Sequence, residues 1–300
     1  MAAVRTLGVI GTGDMGSAVA GAYVRAGYRV VAALAERSAH SRALAGRVGV
    51  EDVGSLRAVA REAELILSIV PPANAYACAE SAAVAMVEAG TQPTYVDCNA
   101  VAPATVHSIA RIFAALGAPF IDAGIVGRGP VPNVEPPTRF FVAGQERARL
   151  LALEVTGIRM IDMGAEIGAA SALKMAYAAL NKGTDALYTA VLMAAERLGV
   201  LPALMQELEL SQRDALCRMQ ARVPYLAATA ERFAGEMAEI AATYEAAGVT
   251  PLFHRGAEWL YTTLAATPLA AETRATLPAE RSLDEALAVF TAALEAQPPP

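Results

Sequence analysis

Lysine is almost missing from this chain. Of 24 basic side chains in 300 residues only Lys174 and Lys182 are lysines, and both fall in one stretch, SALKMAYAALNKGTDAL, residues 171–187. Arginine carries the rest of the positive charge, so the two ammonium groups need a reason of their own. Cysteine is scarce too: Cys78, Cys98 and Cys217 are scattered, odd in number and outside metal-ligand spacing. That excludes a disulfide framework and fits a reduced, cytoplasmic protein. His40, His107 and His254 are isolated, so no metal site is expected. The hydrophobic fraction is 55 % and the mean hydropathy +0.38, yet much of this is alanine. No uncharged apolar run reaches the roughly 18 residues of a membrane span. The N-terminus lacks the basic-then-apolar layout of a signal peptide. A net charge of −6, with no basic cluster interleaved by aromatics, argues against a nucleic-acid partner.

What is present begins at TLGVIGTGDMGSAVAGAYVRAGYRVVAAL. An apolar run, Leu7–Ile10, predicts a buried strand, and the turn Gly11-Thr12-Gly13-Asp14-Met15-Gly16 follows it. A helical stretch to Ala26 comes next, then Gly27 and a second strand over Arg29–Leu34. A Gly-x-Gly-x-x-Gly turn between strand and helix is the dinucleotide-binding context. Gly11 permits the tight turn, Gly13 the approach of a pyrophosphate, and Gly16 close helix–strand packing. The helix start adds free N–H groups and a positive dipole end.

The end of the second strand bears on the choice between NADP and NAD. It reads LAERSAHSR, with Leu34 near the place where NAD enzymes keep an acidic residue. Arg37, Ser38 and Arg42 suit a 2′-phosphate by charge-assisted bonds, which favours NADP; Glu36 keeps NAD open.

Further along, AELILSIVPPANA (63–75) predicts a buried strand ending at Val70 and Pro71, and PTYVDCNAVAP (93–103) another. Asn74 and Asn99 then sit at strand ends, where ligands of such sheets bind; each suits either a ribose or substrate contact or the capping of a loop. APFIDAGIVGRGPVPNVEPPTRFFVAG (118–144) reads as strand, long Gly/Pro loop and strand, the loop carrying Arg128 between Gly127 and Gly129. A guanidinium there presents a fork of donors to a carboxylate or phosphate, or else is a surface charge. From Gly168 the chain is helix-forming almost throughout, with breaks at 199–202, 223–224 and 248–251. The expected fold class is therefore α/β: a Rossmann doubly wound parallel sheet over 1–164, then an all-α domain over 165–300. The tail AQPPP (296–300) cannot continue a helix.

This layout resembles the β-hydroxyacid dehydrogenases, which include 3-hydroxyisobutyrate and 6-phosphogluconate dehydrogenases. GVIGTGDMGSAVA is close to that family's opening G-x-I-G-x-G-x-M-G, VDCNAVAP looks like its D-x-S-T-x-x-P, and GAASALK (168–174) resembles its G-x-x-x-x-x-K. The resemblance implies that Lys174 is the catalytic acid/base, taking a proton from a substrate hydroxyl while hydride leaves the same carbon. Lysine suits that task because its pKa falls on desolvation, whereas arginine stays charged. The family's substrate motif D-A-P-V-S-G-G reads here Asp122-Ala123-Gly124-Ile125-Val126-Gly127-Arg128, its asparagine four residues after the lysine is Ala178, and its late K-D-L is missing, RFAGEMAEIAATYEAAG (232–248) filling that region. Helical spacing offers Tyr177 and Asn181 on the stripe of Lys174, and turns Lys182 away, as a helix-surface lysine or else a ligand for a substrate anion. The expectation is an NADP-dependent oxidoreductase of small hydroxy acids or their carbonyl counterparts, working as a homodimer with the substrate between its domains over Lys174, Val126, Gly127 and Arg128. An imine reductase and a non-catalytic NADPH sensor are the alternatives.

Overall fold

The computed structural model describes residues 4–273 and 276–294; the AQPPP tail lies outside them. The chain divides into two compact units, the first running through Met175 and the second starting at Ala176.

The first unit alternates strand and helix: β1 (Thr6–Ile10), α1 (Asp14–Arg25), β2 (Arg29–Ala32), α2 (Ala39–Val48), β3 (Glu51–Asp52), α3 (Leu56–Glu62), β4 (Leu65–Ser68), α4 (Ala75–Ala89), β5 (Thr94–Asp97), α5 (Pro103–Ala115) and β6 (Phe120–Val126). Then come β7 (Thr138–Ala143), α6 (Ala148–Leu151), β8 (Ile158–Asp162) and the first turns of α7 (Ala169–Arg197). The strands form one sheet of order β3-β2-β1-β4-β5-β6-β7-β8. Every pair is parallel except β6–β7, because the loop between them doubles back without a crossover helix. The period-two pattern of each strand feeds two cores. Leu7, Leu65, Leu67, Val96, Ile121, Ala123 and Ile125 pack with Val19, Ala20 and Tyr23 of α1 on one face. Ile10, Ile66 and Tyr95 pack with Met86, Ile109 and Phe113 on the other. Burial on both faces is why these strands read as near-continuous apolar runs.

Strand structure ends at Asp162, close to residue 164, but the compact unit extends to Met175. The first turns of α7 belong to the sheet, to which they are tied at β6.

The second unit holds the rest of α7 with α8 (Leu201–Ser211), α9 (Arg213–Arg222), α10 (Ala227–Ala246), α11 (Leu252–Ala265) and α12 (Leu283–Ala293). The α8–α9 junction at Gln212 has neither Gly nor Pro to announce it. Lys182 departs from expectation here. It is no solvated surface lysine: its ammonium pairs with the buried Glu236, lies 4.9 Å from the Phe233 ring centre, and Arg232 reaches the other Glu236 oxygen at 2.7 Å. Leaving that carboxylate unpaired would be costly, so the lysine is structural. Buried Asp185 is likewise bracketed by Arg218 (3.0 Å) and Arg222 (2.9 Å).

His254 is buried with Nδ1 unpartnered and its ring against Tyr244 at 4.3 Å. Burial holds it below the usual histidine value of 6.5. The unfolded chain thus takes up this proton first, and stability present above pH 6.5 is lost as pH falls through the folded value. His254→Phe is expected to flatten the fall in melting temperature between pH 7 and 5 relative to the parent; parallel curves would contradict this.

Candidate functional site

Three glycines build the turn after β1, each for a different reason. Gly11 has φ +92°, and a Cβ there would lie 2.2 Å from the Ile69 carbonyl oxygen. A Cβ on Gly16 would lie 1.8 Å from the Gly11 carbonyl oxygen. The protein itself therefore demands those two. Gly13 is different: a Cβ there meets nothing within 4 Å. Gly13 is the N-cap of α1 and caps it with no side chain, so the positive end of the helix faces an open cradle. Thr12 beside it is 2 % exposed, and its Oγ1 has no hydrogen-bond partner. Its carbonyl accepts from Ser17 Oγ at 2.7 Å, which fixes the turn. Exposed Asp14 opens α1, with His40 Nε2 at 3.7 Å from its carboxylate, and Met15 packs onto the core. An open cradle, a buried hydroxyl lacking an acceptor and a bare helix start together fit the pyrophosphate of a dinucleotide.

Beside the turn lies a cavity of ≈ 300 Å³, lined by Gly11, Thr12, Ala33, Ala35, Glu36, Arg37, Gly54, Ser55, Leu56 and Ser81. The last four are lining residues that sequence reasoning missed; they come from the β3–α3 turn, the start of α3 and α4, and no local pattern ties them to β1. Leu34 is buried in the core, and its N–H donates to Asp52 at 3.1 Å, so no acidic side chain occupies its place. Ser38 is the N-cap of α2, its Oγ accepting from Ser41 N at 3.2 Å. The Arg42 guanidinium donates to the Arg37 carbonyl. Of the trio Arg37, Ser38 and Arg42, only Arg37 lines the cavity.

At the neighbouring strand ends, Asn99 is committed to the fold. Its Oδ1 accepts from Val70 N at 2.7 Å, and its Nδ2 donates to Ser68 Oγ at 3.2 Å and Asp97 Oδ2 at 2.9 Å. It ties β4 to β5 from a position 2 % exposed. Pro71 and Asn74 are exposed beyond β4, and the Asn74 amide makes no cap bond to α4.

Lys174 stands at the carboxyl end of β6. Asp122, Gly124 and Val126 share one strand face, and α7 is laid against it. Buried Asp122 caps the helix from the strand beneath it: its Oδ2 accepts from Gly168 N (2.8 Å), Ala170 N (3.1 Å) and Ser171 N (3.2 Å), and its Oδ1 from Ser171 Oγ (2.6 Å). Burial lifts this carboxyl above the usual aspartate range, against the pull of those donors. Gly124 lets the backbones meet, since a Cβ there would lie 2.8 Å from the Ala170 oxygen and 3.1 Å from Lys174 Cβ. Lys174 Nζ then donates to the Ile125 carbonyl. The result is a half-buried primary amine, oriented by main chain, at the sheet edge where doubly wound folds bind ligands. Val126 is buried and offers no hydroxyl there.

Gly127, at φ +114°, turns the chain off β6. Arg128 follows, exposed, its carbonyl accepting from Thr138 Oγ1 at 2.6 Å. Tyr177 is exposed on α7. Asn181 donates its amide back to the Tyr177 carbonyl at 3.0 Å, which takes up its nitrogen within the helix. Among the described residues no group of three or more His, Cys, Asp or Glu side chains is placed to hold a metal ion, and no helix is long and apolar enough to cross a membrane.

Comparison with known proteins agrees with this geometry. The family model for the NAD binding domain of 6-phosphogluconate dehydrogenase matches residues 6–155, half of the chain. A domain of unknown function (DUF1932) matches residues 195–264. A conserved hypothetical protein from Sinorhizobium meliloti is 28 % identical over 97 % of both chains, with a TM-score of 0.61. The fold is shared with 3-hydroxyisobutyrate dehydrogenase from Salmonella typhimurium (18 % identity, 86 % of this chain and 93 % of that one, TM-score 0.64). It is shared also with an imine reductase from Myxococcus stipitatus in complex with NADP+ (20 %, 87 % and 93 %, TM-score 0.52).

Proposed function

The chain belongs to the 6-phosphogluconate dehydrogenase-like β-hydroxyacid dehydrogenases, a family of NAD(P)-dependent oxidoreductases, and from that premise we propose an NADP-dependent enzyme that interconverts a small hydroxy acid and its carbonyl counterpart. The observation that carries the proposal is Lys174, an amine fixed on the Ile125 carbonyl at the sheet edge. When bound, the nicotinamide cofactor supplies or accepts the hydride. Lys174 takes the hydroxyl proton during oxidation and returns it during reduction; an ammonium can give up its proton near neutral pH once desolvated, and a guanidinium cannot. The N–H groups at the start of α1 and the Thr12 hydroxyl hold the pyrophosphate. Arg37 takes the 2′-phosphate of NADP.

The homodimer belongs to the same proposal. Leu180, Leu187 and Val191 are exposed at helical spacing along α7, and a second copy would cover this stripe.

An imine reductase is the second reading, because the strand face beside Lys174 presents Gly124 and Val126 and no hydroxyl for a substrate carboxylate. Exposed Tyr177, three residues on along α7, would then be the proton donor.

Parallel titration of NADPH and NADH tests the cofactor assignment. Arg37→Ala is expected to weaken NADPH about 10- to 100-fold, the worth of a charge-assisted bond, and to leave NADH unchanged. Equal losses for both nucleotides would remove Arg37 from the 2′-phosphate. Binding of neither by the parent protein would remove the enzymatic reading.

A further inference from the structure

The resemblance places Arg128 at the end of a substrate motif that runs along β6, but the loop that Arg128 opens goes to the other side of the sheet. Lys174 stands on the β6 face of Asp122, Gly124 and Val126. The opposite face, with Ile121, Ala123 and Ile125, is the one covered by α1. After Gly127 the loop crosses to that side, and a Cβ on Gly129 would lie 2.8 Å from Ala18 Cβ. The backbone next to Arg128 thus rests on α1. Ala18 is five residues beyond the N-cap Gly13, about 7.5 Å along the axis, a distance comparable to the reach of an arginine side chain. The Thr138 hydroxyl holds the Arg128 carbonyl, so the backbone is anchored on both sides of the side chain.

Several arginines of this unit are tied to acceptors: Arg29 bonds Glu51 and Glu62, Arg147 bonds Asp162, Arg149 bonds Thr94, and Arg159 bonds Glu154. The Arg128 guanidinium has no hydrogen-bond or ion-pair partner among the described residues. Nearby, the start of α1 presents an open cradle at Gly13 and the buried Thr12 hydroxyl without an acceptor. An anion held at that helix start completes both sets of unused donors. A guanidinium presents two parallel N–H groups to such an anion, with geometry a lysine lacks.

We propose that Arg128 is a cofactor-binding residue that folds over α1 and clasps the pyrophosphate of the bound dinucleotide, so that this loop serves the cofactor and not the substrate. The inference rests on dinucleotide binding at Gly11–Gly16. A substrate carboxylate is the competing source of the same chemistry, and three ligands separate the two. NADPH carries pyrophosphate and nicotinamide, 2′-phospho-ADP-ribose carries pyrophosphate alone, and adenosine 2′-monophosphate carries neither.

Calorimetric titration of the parent protein, Arg128→Ala and Arg128→Lys with each ligand tests the proposal. Arg128→Ala should lose about tenfold or more in affinity for NADPH and for 2′-phospho-ADP-ribose alike, with adenosine 2′-monophosphate unchanged, and Arg128→Lys should recover only part of the loss. Unchanged affinity of Arg128→Ala for the two pyrophosphate ligands would overturn the assignment and return Arg128 to the substrate or to solvent. A uniform loss for all three ligands would also overturn it, pointing to a displaced loop. If the parent protein bound none of them, the dinucleotide site itself would fall, an outcome separate from failure of the clasp.

Discussion

Lys174→Ala is expected to slow turnover of a hydroxy substrate by about a hundredfold to ten-thousandfold, the range of a lost general acid/base, with NADPH affinity nearly unchanged. The separation follows from position. The amine is held by the Ile125 carbonyl on the α7 side of the sheet, whereas the pyrophosphate cradle opens at the start of α1. Lys174→Arg sharpens the test because it keeps a cation able to donate to Ile125 but holds its proton at any physiological pH. It should be nearly as slow as alanine. Steady-state rates against a panel of short hydroxy acids and their carbonyl forms, with nucleotide affinity measured alongside, provide the check. A Lys174→Ala enzyme that kept the parent rate would end the proton-transfer role, and an equal loss of NADPH binding would make the lysine a cofactor ligand.

The second large effect lies in Asp122. Asp122→Ala strips acceptors from three backbone N–H groups and the Ser171 hydroxyl at a buried helix start. Each of the four groups left unpaired costs about 1–3 kcal/mol where water cannot replace the partner, so a total of at least about 4 kcal/mol is expected. That is a large part of a typical domain's stability of roughly 5–15 kcal/mol. Ser171→Ala, which removes one bond, should cost only about 1 kcal/mol. Urea unfolding of both variants reads the difference. A loss below about 1 kcal/mol for Asp122→Ala would mean that the start of α7 finds other acceptors.

What the sequence made legible was local. Gly11 and Gly16 are demanded by atoms a few residues away or by the strand next door, so a Gly-x-Gly-x-x-Gly turn between strand and helix carried its geometry openly. Lys174 stood out because lysine is rare here and because GAASALK resembles a known motif. Long-range pairing was not legible. Asp122 reads as one residue of a substrate motif until Gly168, 46 positions later, proves to be its partner. Lys182 looks like a surface charge until Glu236, 54 positions on, appears beside it. Ser38 shows a third kind of ambiguity: a serine before a helix suits a phosphate and an N-cap equally well, and only the bond from Ser41 N assigns it to the cap.

The two lysines end in very different surroundings, and this has a practical consequence for amine chemistry. With the Lys182 side chain only 14 % exposed and paired to Glu236, a water-soluble acylating reagent meets few primary amines on the folded protein beyond the chain's amino terminus and Lys174. Added mass on the peptide that carries Lys174, told apart from the amino-terminal peptide by mapping, would report on that one side chain in a protein of 300 residues. Labelling at that one position, followed over time with and without small molecules, turns the poverty of lysine into a built-in probe of occupancy for ligands not yet known.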